Sequence, residues 1–392
     1  MAPAPWPLRA AGWGFHAVHA IVSAVLNVLL LTPPGKALQR THTYQYLVGW
    51  GWTTYMVFFQ KLGMQHLGSI DSVGGPVQGL TVIVTGPTSG IGKETAAALA
   101  RRGAKVVLAC RNEAKGAELK ADIEASSERL GCPRPQLEVR RLDLASLESV
   151  TEFSQRWEAE QLPLHILINN AGVYRMGAPR DVTIDGFEAH MGSNYLGHFL
   201  LTMSLLPSLE RGAKQSPAFG ARVVSVSSSV HLVATSGIRQ ADPHLRQPGA
   251  YNGELAYAQS KLAQIQFTRE LRRRLQDKGA AVQVFAVHPG MVLTEVTRTL
   301  PPVIQAANKR IMGLLLLSPA EGARATMYCA TAPSAPQEAE ATHGYFGANA
   351  QPLMPSVAAQ SDAGALWLWK WSAQQVKLPP QLDLQTTANG NA

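Results

Sequence analysis

"LTVIVTGPTSGIGKETA", residues 80–96, is the stretch that decides the fold. Its first six residues, Leu80 to Thr85, are apolar and β-branched enough for a strand buried on both faces, the habit of a parallel sheet covered by helices. Gly86, Gly90 and Gly92 follow at once, and helix-forming residues begin at Lys93. Glycines at a strand-to-helix turn let the backbone approach a ligand closely. The helix N-terminus adds unpaired N–H groups and the positive end of its dipole, which suits a pyrophosphate. A glycine-rich turn alone says little, but between a strand and a helix it points to a dinucleotide site.

Outward from this turn the same rhythm repeats. Short β-branched runs at 80–85, 105–109, 136–144, 164–168, 221–227 and 281–287 read as strands. Segments 93–102, 113–129, 146–160, 186–210 and 252–278 between them read as helices. The alternation predicts a Rossmann-type, doubly wound parallel α/β sheet with helices on both faces. No internal repeat is present. The domain is expected over 78–350, with an extension at 351–392. Within that extension "GALWLWKWS" (364–372) reads as a packed helix, with a pocket cover or membrane contact as the alternative. The tail from about 376 reads as loose.

At the end of the second strand a carboxylate commonly holds the ribose 2′-hydroxyl of NAD. This chain has "ACRNE" (109–113) there, and the guanidinium of Arg111 suits a 2′-phosphate instead. Lys93 would add a second charge. The cofactor expected is NADP(H), and Glu113 keeps NAD(H) open. Farther on, "ELAYAQSKLAQ" (254–264) places Tyr257 and Lys261 four residues apart, on one face of a helix. A buried Lys beside a Tyr favours the phenolate, so the pair is expected to lower the Tyr pKa and to serve as a general acid/base.

Together these pieces resemble the short-chain dehydrogenase/reductase family, and within it the retinol-dehydrogenase-like branch that includes the plant oxidoreductases called forever young. "ACRNEAKG", "NYLGHFLLT" and "SKLAQ" carry the closer likeness. The resemblance implies a cofactor loop of Gly86, Ser89, Gly90, Ile91 and Gly92, and an adenine site at Asp143 and Leu144 in "RLDL". It implies that Asn170, Ala171 and Gly172 of "NNAG" (169–172) lie beneath the cofactor. Pro289, Gly290 and Thr294 of "HPGMVLT" (288–294) would hold the nicotinamide amide. The catalytic set it implies is Asn194, Ser228, Tyr257 and Lys261, with Ser227 as the alternative to Ser228. Tyr257 and Lys261 would also touch the cofactor, and Asn194 would position a water relaying protons to Lys261. Ser228 and Tyr257 stand 29 positions apart, wider than many family members, and the extra chain at 231–253 reads as an insertion walling the substrate. The activity implied is interconversion of an alcohol with its aldehyde or ketone by hydride transfer. The alternative is a membrane-tethered NADP(H)-binding scaffold or sensor without significant turnover.

The N-terminus differs from the rest. No Asp or Glu precedes Asp71, and no charge lies between Arg9 and Lys36. Residues 10–32 as a helix would reach about 35 Å, enough for a hydrocarbon core of about 30 Å. Residues 44–60, "YQYLVGWGWTTYMVFFQ", carry the aromatics that favour a membrane interface. Residues 1–70 are therefore expected to form an anchor and interfacial segment. A signal peptide lacks its cleavage site here, and a transit peptide its Arg and Ser content. The basic flank Lys36, Arg40 and Lys61 leaves the domain on the cytosolic side, and the endoplasmic reticulum is the membrane expected, with chloroplast or mitochondrion as alternatives. An anchored chain and the apolar run "IMGLLLLS" (311–318) favour a lipophilic substrate, retinoid- or isoprenoid-, fatty- or sterol-like.

The formal charge is +8, and the densest basic run, "RELRRRLQDK" (269–278), reads as a solvated helix face, with membrane contact as the alternative. No zinc-finger, RRM or basic-zipper pattern supports nucleic acid. A homodimer is compatible with this reading. Three cysteines without C-x-x-C spacing indicate neither a disulfide framework nor a zinc site. His231, His244 and His288 lack zinc spacing and are expected in surface or loop roles. Ser228 and His231 lack the G-x-S-x-G elbow of a hydrolase.

Overall fold

The computed structural model describes residues 51, 60–61, 64–175, 177–292 and 316–384. The expected anchor (10–32), most of the interfacial segment, most of the 311–318 run and Thr294 lie outside these. Among the described residues no helix is long and apolar enough to cross a membrane.

Seven strands among the described residues form one sheet in the order β3-β2-β1-β4-β5-β6-β7, every pair parallel. They are β1 (Thr81–Thr85), β2 (Lys105–Cys110), β3 (Gln136–Arg141), β4 (Ile166–Asn169), β5 (Ala221–Val226), β6 (Val282–Val287) and β7 (Tyr345–Phe346). Order reverses between β1 and β4, which opens the crevice at their carboxyl ends where doubly wound folds take ligands. The strands read as unbroken apolar runs because alternate residues serve opposite layers. Ile83 belongs to the core beneath α3 (Leu147–Ala159), α4 (Gly197–Ser204) and α6 (Gly253–Asp277). Its neighbours Val82 and Val84 belong to the core beneath α1 (Gly90–Arg101), α2 (Glu113–Arg129) and α7 (Pro319–Thr331).

Three departures from the sequence reading have identifiable causes. The helix expected over 186–210 is in pieces. A π-helical turn spans Met191–Leu196, α4 follows, and α5 (Leu206–Gln215) starts afresh with Pro207 in its first turn. Proline lacks the N–H that would continue α4, and the Glu188 carboxylate starts the π turn by accepting the N–H groups of His190 and Met191.

The basic run is not a solvated face. Arg272 and Arg274 are buried, with Glu270 also buried and 2.7 Å from Arg274 Nε. Arg274 also lies 4.2 Å over the ring of Trp369 and donates to the carbonyl of Leu384. The tail beyond 376 is held rather than loose as far as Leu384, since Trp369 Nε1 donates to Asp383 at 2.9 Å. The packed helix expected at 364–372 is present as α8 (Asp362–Gln375) and is part of the main core. Trp369 packs on Phe199 and Phe267, with ring centroids 5.5 and 6.0 Å apart. Replacing Trp369 by Ala removes this anchor and should cost about 3–5 kcal/mol of stability. Urea unfolding checks this, and a loss near zero would make α8 a surface appendage.

Candidate active site

The glycine turn needs its glycines for two different reasons. Gly86 and Gly90 have φ of +60° and +56°, a region that favours glycine. A side chain on Gly86 would come within 2.9 Å of Ala171, and one on Gly92 within 2.4 Å of Asn170 and the Gly86 carbonyl. Nothing stands within 4 Å of a side-chain position at Gly90. Ser89 precedes α1 without capping it through its side chain, so the first-turn amides are left for a ligand, with Ile91 half-buried behind them.

The turn is tied to the end of β4. Thr85 Oγ1 accepts the N–H groups of Asn170 and Ala171 at 2.9 and 3.0 Å. Asn170 Nδ2 donates back to the carbonyls of Thr85 and Gly86 at 2.9 and 3.2 Å. Gly172 runs on beside Asn194 and Lys261, whose polar tips would stand 3.4 and 3.6 Å from a side chain there. Asp143 accepts the N–H of Ala145 through Oδ1 at 3.0 Å, and the Leu144 carbonyl lies against Gly197. Arg111 is exposed at the end of β2, and no partner among the described residues holds its guanidinium. Lys93 does not stand free beside it, since its ammonium pairs with Asp122 at 3.3 Å.

Asn252 caps α6 by accepting the N–H groups of Glu254 and Leu255, which fixes the turn carrying Tyr257. The two serines at the end of β5 separate cleanly. Ser227 is turned away, its hydroxyl donating to the Lys261 carbonyl at 2.8 Å. Ser228 is hydrogen-bonded to the Tyr257 phenol. The Lys261 ammonium lies 5.6 Å from the centre of the Tyr257 ring, and Tyr174 meets that ring edge-on at 4.6 Å. Asn194 comes from the π turn, a local widening often found at functional sites. The structure thus brings Asn194, Ser228, Tyr257 and Lys261 together from three elements.

The lowering expected for the Tyr257 pKa is not the net direction, which burial sets instead. Burial pushes Tyr257 up to about 12, partly offset by its bond to Ser228. Burial also pulls Lys261 down to about 7. A lysine that is itself half-neutral at pH 7 exerts too weak a field to outweigh the desolvation of its neighbour.

Of the surface or loop roles expected for the three histidines, the surface role does not hold, since His231, His244 and His288 are all buried, while His244 and His288 do lie in loops. His231 Nδ1 donates to the Ser228 carbonyl at 2.7 Å and Nε2 accepts from Ser356 at 3.2 Å, so it braces the serine. His244, within the insertion, stacks between Phe187 and Trp371. His288 Nδ1 accepts the N–H of Gly290 at 3.1 Å, shaping the turn after Pro289.

Two contributions escaped sequence reading. Gln60, at the end of the N-terminal segment, hydrogen-bonds both the N–H and the carbonyl of Met291, at 2.8 and 3.1 Å. No local pattern announces such a contact. The helix α7 was announced, by Ser318-Pro319-x-Glu321, a capping box with proline in the first turn.

A family model described as short chain dehydrogenase matches residues 80–239 and 248–303. Mouse (Mus musculus) retinol dehydrogenase 12 is 40% identical over 307 residues, covering 78% of this chain and 89% of that protein. Mouse polyprenol dehydrogenase is 44% identical over 281 residues, 71% of this chain and 79% of its own length. The Arabidopsis thaliana dehydrogenase/reductase SDR family member FEY is 35% identical over 355 residues, 88% and 91% of the two chains. Among solved structures, an uncharacterized protein from Mycobacterium Paratuberculosis aligns with a TM-score of 0.57 at 33% identity, over 79% of this chain and 97% of that one. A structure from Beutenbergia cavernae, titled as an NAD(P) dependent gluconate 5-dehydrogenase with bound NADP at low occupancy, aligns at 0.51 and 25% identity, over 70% and 97%. With the glycine turn, the Asn–Ser–Tyr–Lys cluster and a family model spanning both, the chain belongs to the short-chain dehydrogenase/reductase family, in its retinol-dehydrogenase-like branch.

Proposed function

We propose that this oxidoreductase interconverts a lipophilic alcohol and its aldehyde or ketone, with NADP(H) as the preferred cofactor. The observation that carries the reading is the Tyr257 phenol, bonded to Ser228 and flanked by Lys261 at the edge of the glycine-lined crevice. The crevice fits a dinucleotide. Side chains at Gly86 or Gly92 would collide with the Asn170–Ala171 turn, and the uncapped first turn of α1 offers N–H groups to a pyrophosphate. A nicotinamide held there supplies or accepts the hydride.

The chain's own residues do the rest. In reduction Tyr257 gives its proton to the carbonyl oxygen, while Ser228 donates a hydrogen bond to that oxygen as charge develops on it. Lys261 and Tyr257 would hold the nicotinamide ribose, and Asn194 fixes the floor of the site through Val173. Arg111 would hold the 2′-phosphate, and its guanidinium, without a partner among the described residues, supports that role. The NADP-bound structural relative agrees with the preference.

Two observations support a lipophilic substrate. The relatives are named for retinol and polyprenol. Several exposed apolar side chains also sit on segments that reach the site. Tyr174 touches Tyr257, and Ile184, 85% exposed, is on the loop that leads to Glu188 and His190. Met354 and Val357 flank Ser356, the partner of His231. Attachment to a membrane, by the reading that favours the endoplasmic reticulum with a cytosolic domain, rests on the sequence before residue 61.

Replacing Tyr257 by Phe should lower kcat/KM for a lipophilic aldehyde by about 10²–10⁴-fold. NADPH affinity, followed by its fluorescence, should fall far less, because the phenol is one of several groups that would hold the cofactor. Replacing Arg111 by Leu should weaken NADPH about 10- to 100-fold and leave NADH unaffected, as expected for loss of a charge-assisted bond. Equal use of both cofactors by the unaltered protein would overturn the assignment of Arg111. The high pKa of Tyr257 keeps its proton in place at neutral pH. Reduction should therefore not lose the Tyr257 proton between pH 6 and 8, so that an alkaline limb there reports Lys261, whereas oxidation, which needs the phenolate, should accelerate as pH rises. Initial rates in both directions across that range check the sign.

A further inference from the structure

Lys261 is held by more than its place on α6. Its Nζ donates to the Val226 carbonyl at 2.8 Å and to Gln264 Oε1 at 3.1 Å. The other end of the same carboxamide, Gln264 Nε2, donates to the Asn194 carbonyl at 2.8 Å. Asn194, Lys261 and Gln264 are all buried. The Asn194 carbonyl takes a second bond from His198 Nδ1 at 2.9 Å.

Proton placement along this chain follows from donor and acceptor types. A carbonyl only accepts, so His198 carries its proton on Nδ1, and burial, which lowers this imidazole to about 4, keeps it neutral. Its Nε2 is then an acceptor, and the hydroxyl of Thr85, 2.9 Å away, donates to it. The side chain of Asn194 is equally committed. Its Oδ1 accepts the N–H of Val173 at 2.7 Å, and its Nδ2 donates to the Val173 carbonyl and to Ser260, both at 3.1 Å. Protein groups therefore engage both side-chain polar atoms of Asn194 and give its carbonyl two donors. Asn194 is the residue to which the sequence reading gave the positioning of a relaying water.

We propose that Gln264 is a positioning residue of the proton-transfer system: its carboxamide bridges Lys261 and the Asn194 carbonyl where a relaying water would otherwise sit. A carboxamide fixed by one accepted and one donated bond does not pass a proton along as water does. Proton exchange between Tyr257 and solvent then runs on the cleft side of Lys261, not inward through the π turn. The inference rests on the function proposed above, but the bridge itself can be tested without turnover.

Because Gln264 Oε1 accepts from Nζ, it favours the ammonium form. The titratable groups facing Lys261 are Tyr257 on the same helix and His198 from α4, and both stay neutral near pH 7. The test is a pH titration of the full chain carrying ¹³Cε-labelled lysine, with the Lys261 signal assigned by its loss in Lys261→Arg. Gln264→Met, similar in length but with no acceptor at that place, should move the Lys261 midpoint about one pH unit lower. Gln264→Asn, too short to span both partners, should do the same. Gln264→Glu should move it up by a comparable amount. One midpoint shared by the unaltered protein and the variants overturns the bridge. If Gln264→Met does not fold, the Asn and Glu variants decide. Reductive kcat against pH is then read on the same proteins. An alkaline limb that follows the Lys261 midpoint joins the bridge to catalysis. A limb that stays fixed while the midpoint moves removes Gln264 from proton transfer, and a protein inactive on every carbonyl tested counts against the proposed function instead.

Discussion

The site depends on one junction, the stitching of the end of β1 to the end of β4 through the hydroxyl of Thr85. That single buried oxygen accepts two backbone N–H groups, from Asn170 and Ala171, while Asn170 returns its amide to the carbonyls of Thr85 and Gly86. The junction lies where strand order reverses, the one place along a doubly wound sheet where neighbouring loops part to either side. Left unpaired, those buried N–H groups would each cost about 1–3 kcal/mol, so the turn has little freedom to relax. The glycines are a consequence of this closeness. With the Asn170–Ala171 turn held so near, Gly86 and Gly92 have no room for a β-carbon.

The remaining site residues inherit their positions from this junction. Gly172 leads from it to within reach of Asn194 and Lys261, and His198 connects it to the Asn194 carbonyl through Thr85. From there Gln264 reaches Lys261, and the Lys261 carbonyl receives the hydroxyl of Ser227. Ser228, next in the chain, is thereby aimed at Tyr257, with His231 and Ser356 bracing it from behind. Rigid support of this kind lets a site hold its geometry without help from a ligand.

What could be read in the sequence was what short-range chemistry writes there. Unbroken apolar runs marked β1, β2 and β4 because strands buried on both faces need no polar alternation. The glycine turn and the Tyr257–Lys261 spacing were legible because each depends on neighbours within a few residues. The choice between Ser227 and Ser228 was not, since it turns on which hydroxyl meets α6 and which meets Tyr257. Arg272 and Arg274 were misread as solvated, and the burial of the three histidines was not visible, for the same reason. Two of the partners that bury them, Leu384 for Arg274 and Ser356 for His231, are more than a hundred residues away. The break at Pro207 and the capping box before α7 were written locally and could have been recovered from the chain alone.

Burial sets the chemistry of the pair at the centre. Tyr257 and Lys261 are both pushed toward their neutral forms, the tyrosine up to about 12 and the lysine down to about 7. Two charges side by side in a desolvated site would each need compensation, and the partners among the described residues are hydrogen-bonding dipoles: Ser228 for the phenol, and the Val226 carbonyl and Gln264 for the amine. Dipoles hold these groups in place without fixing their charge. The pair is therefore left responsive to whatever charge enters the crevice. That is a suitable resting state for an acid/base that must give up a proton in one direction of reaction and take it back in the other.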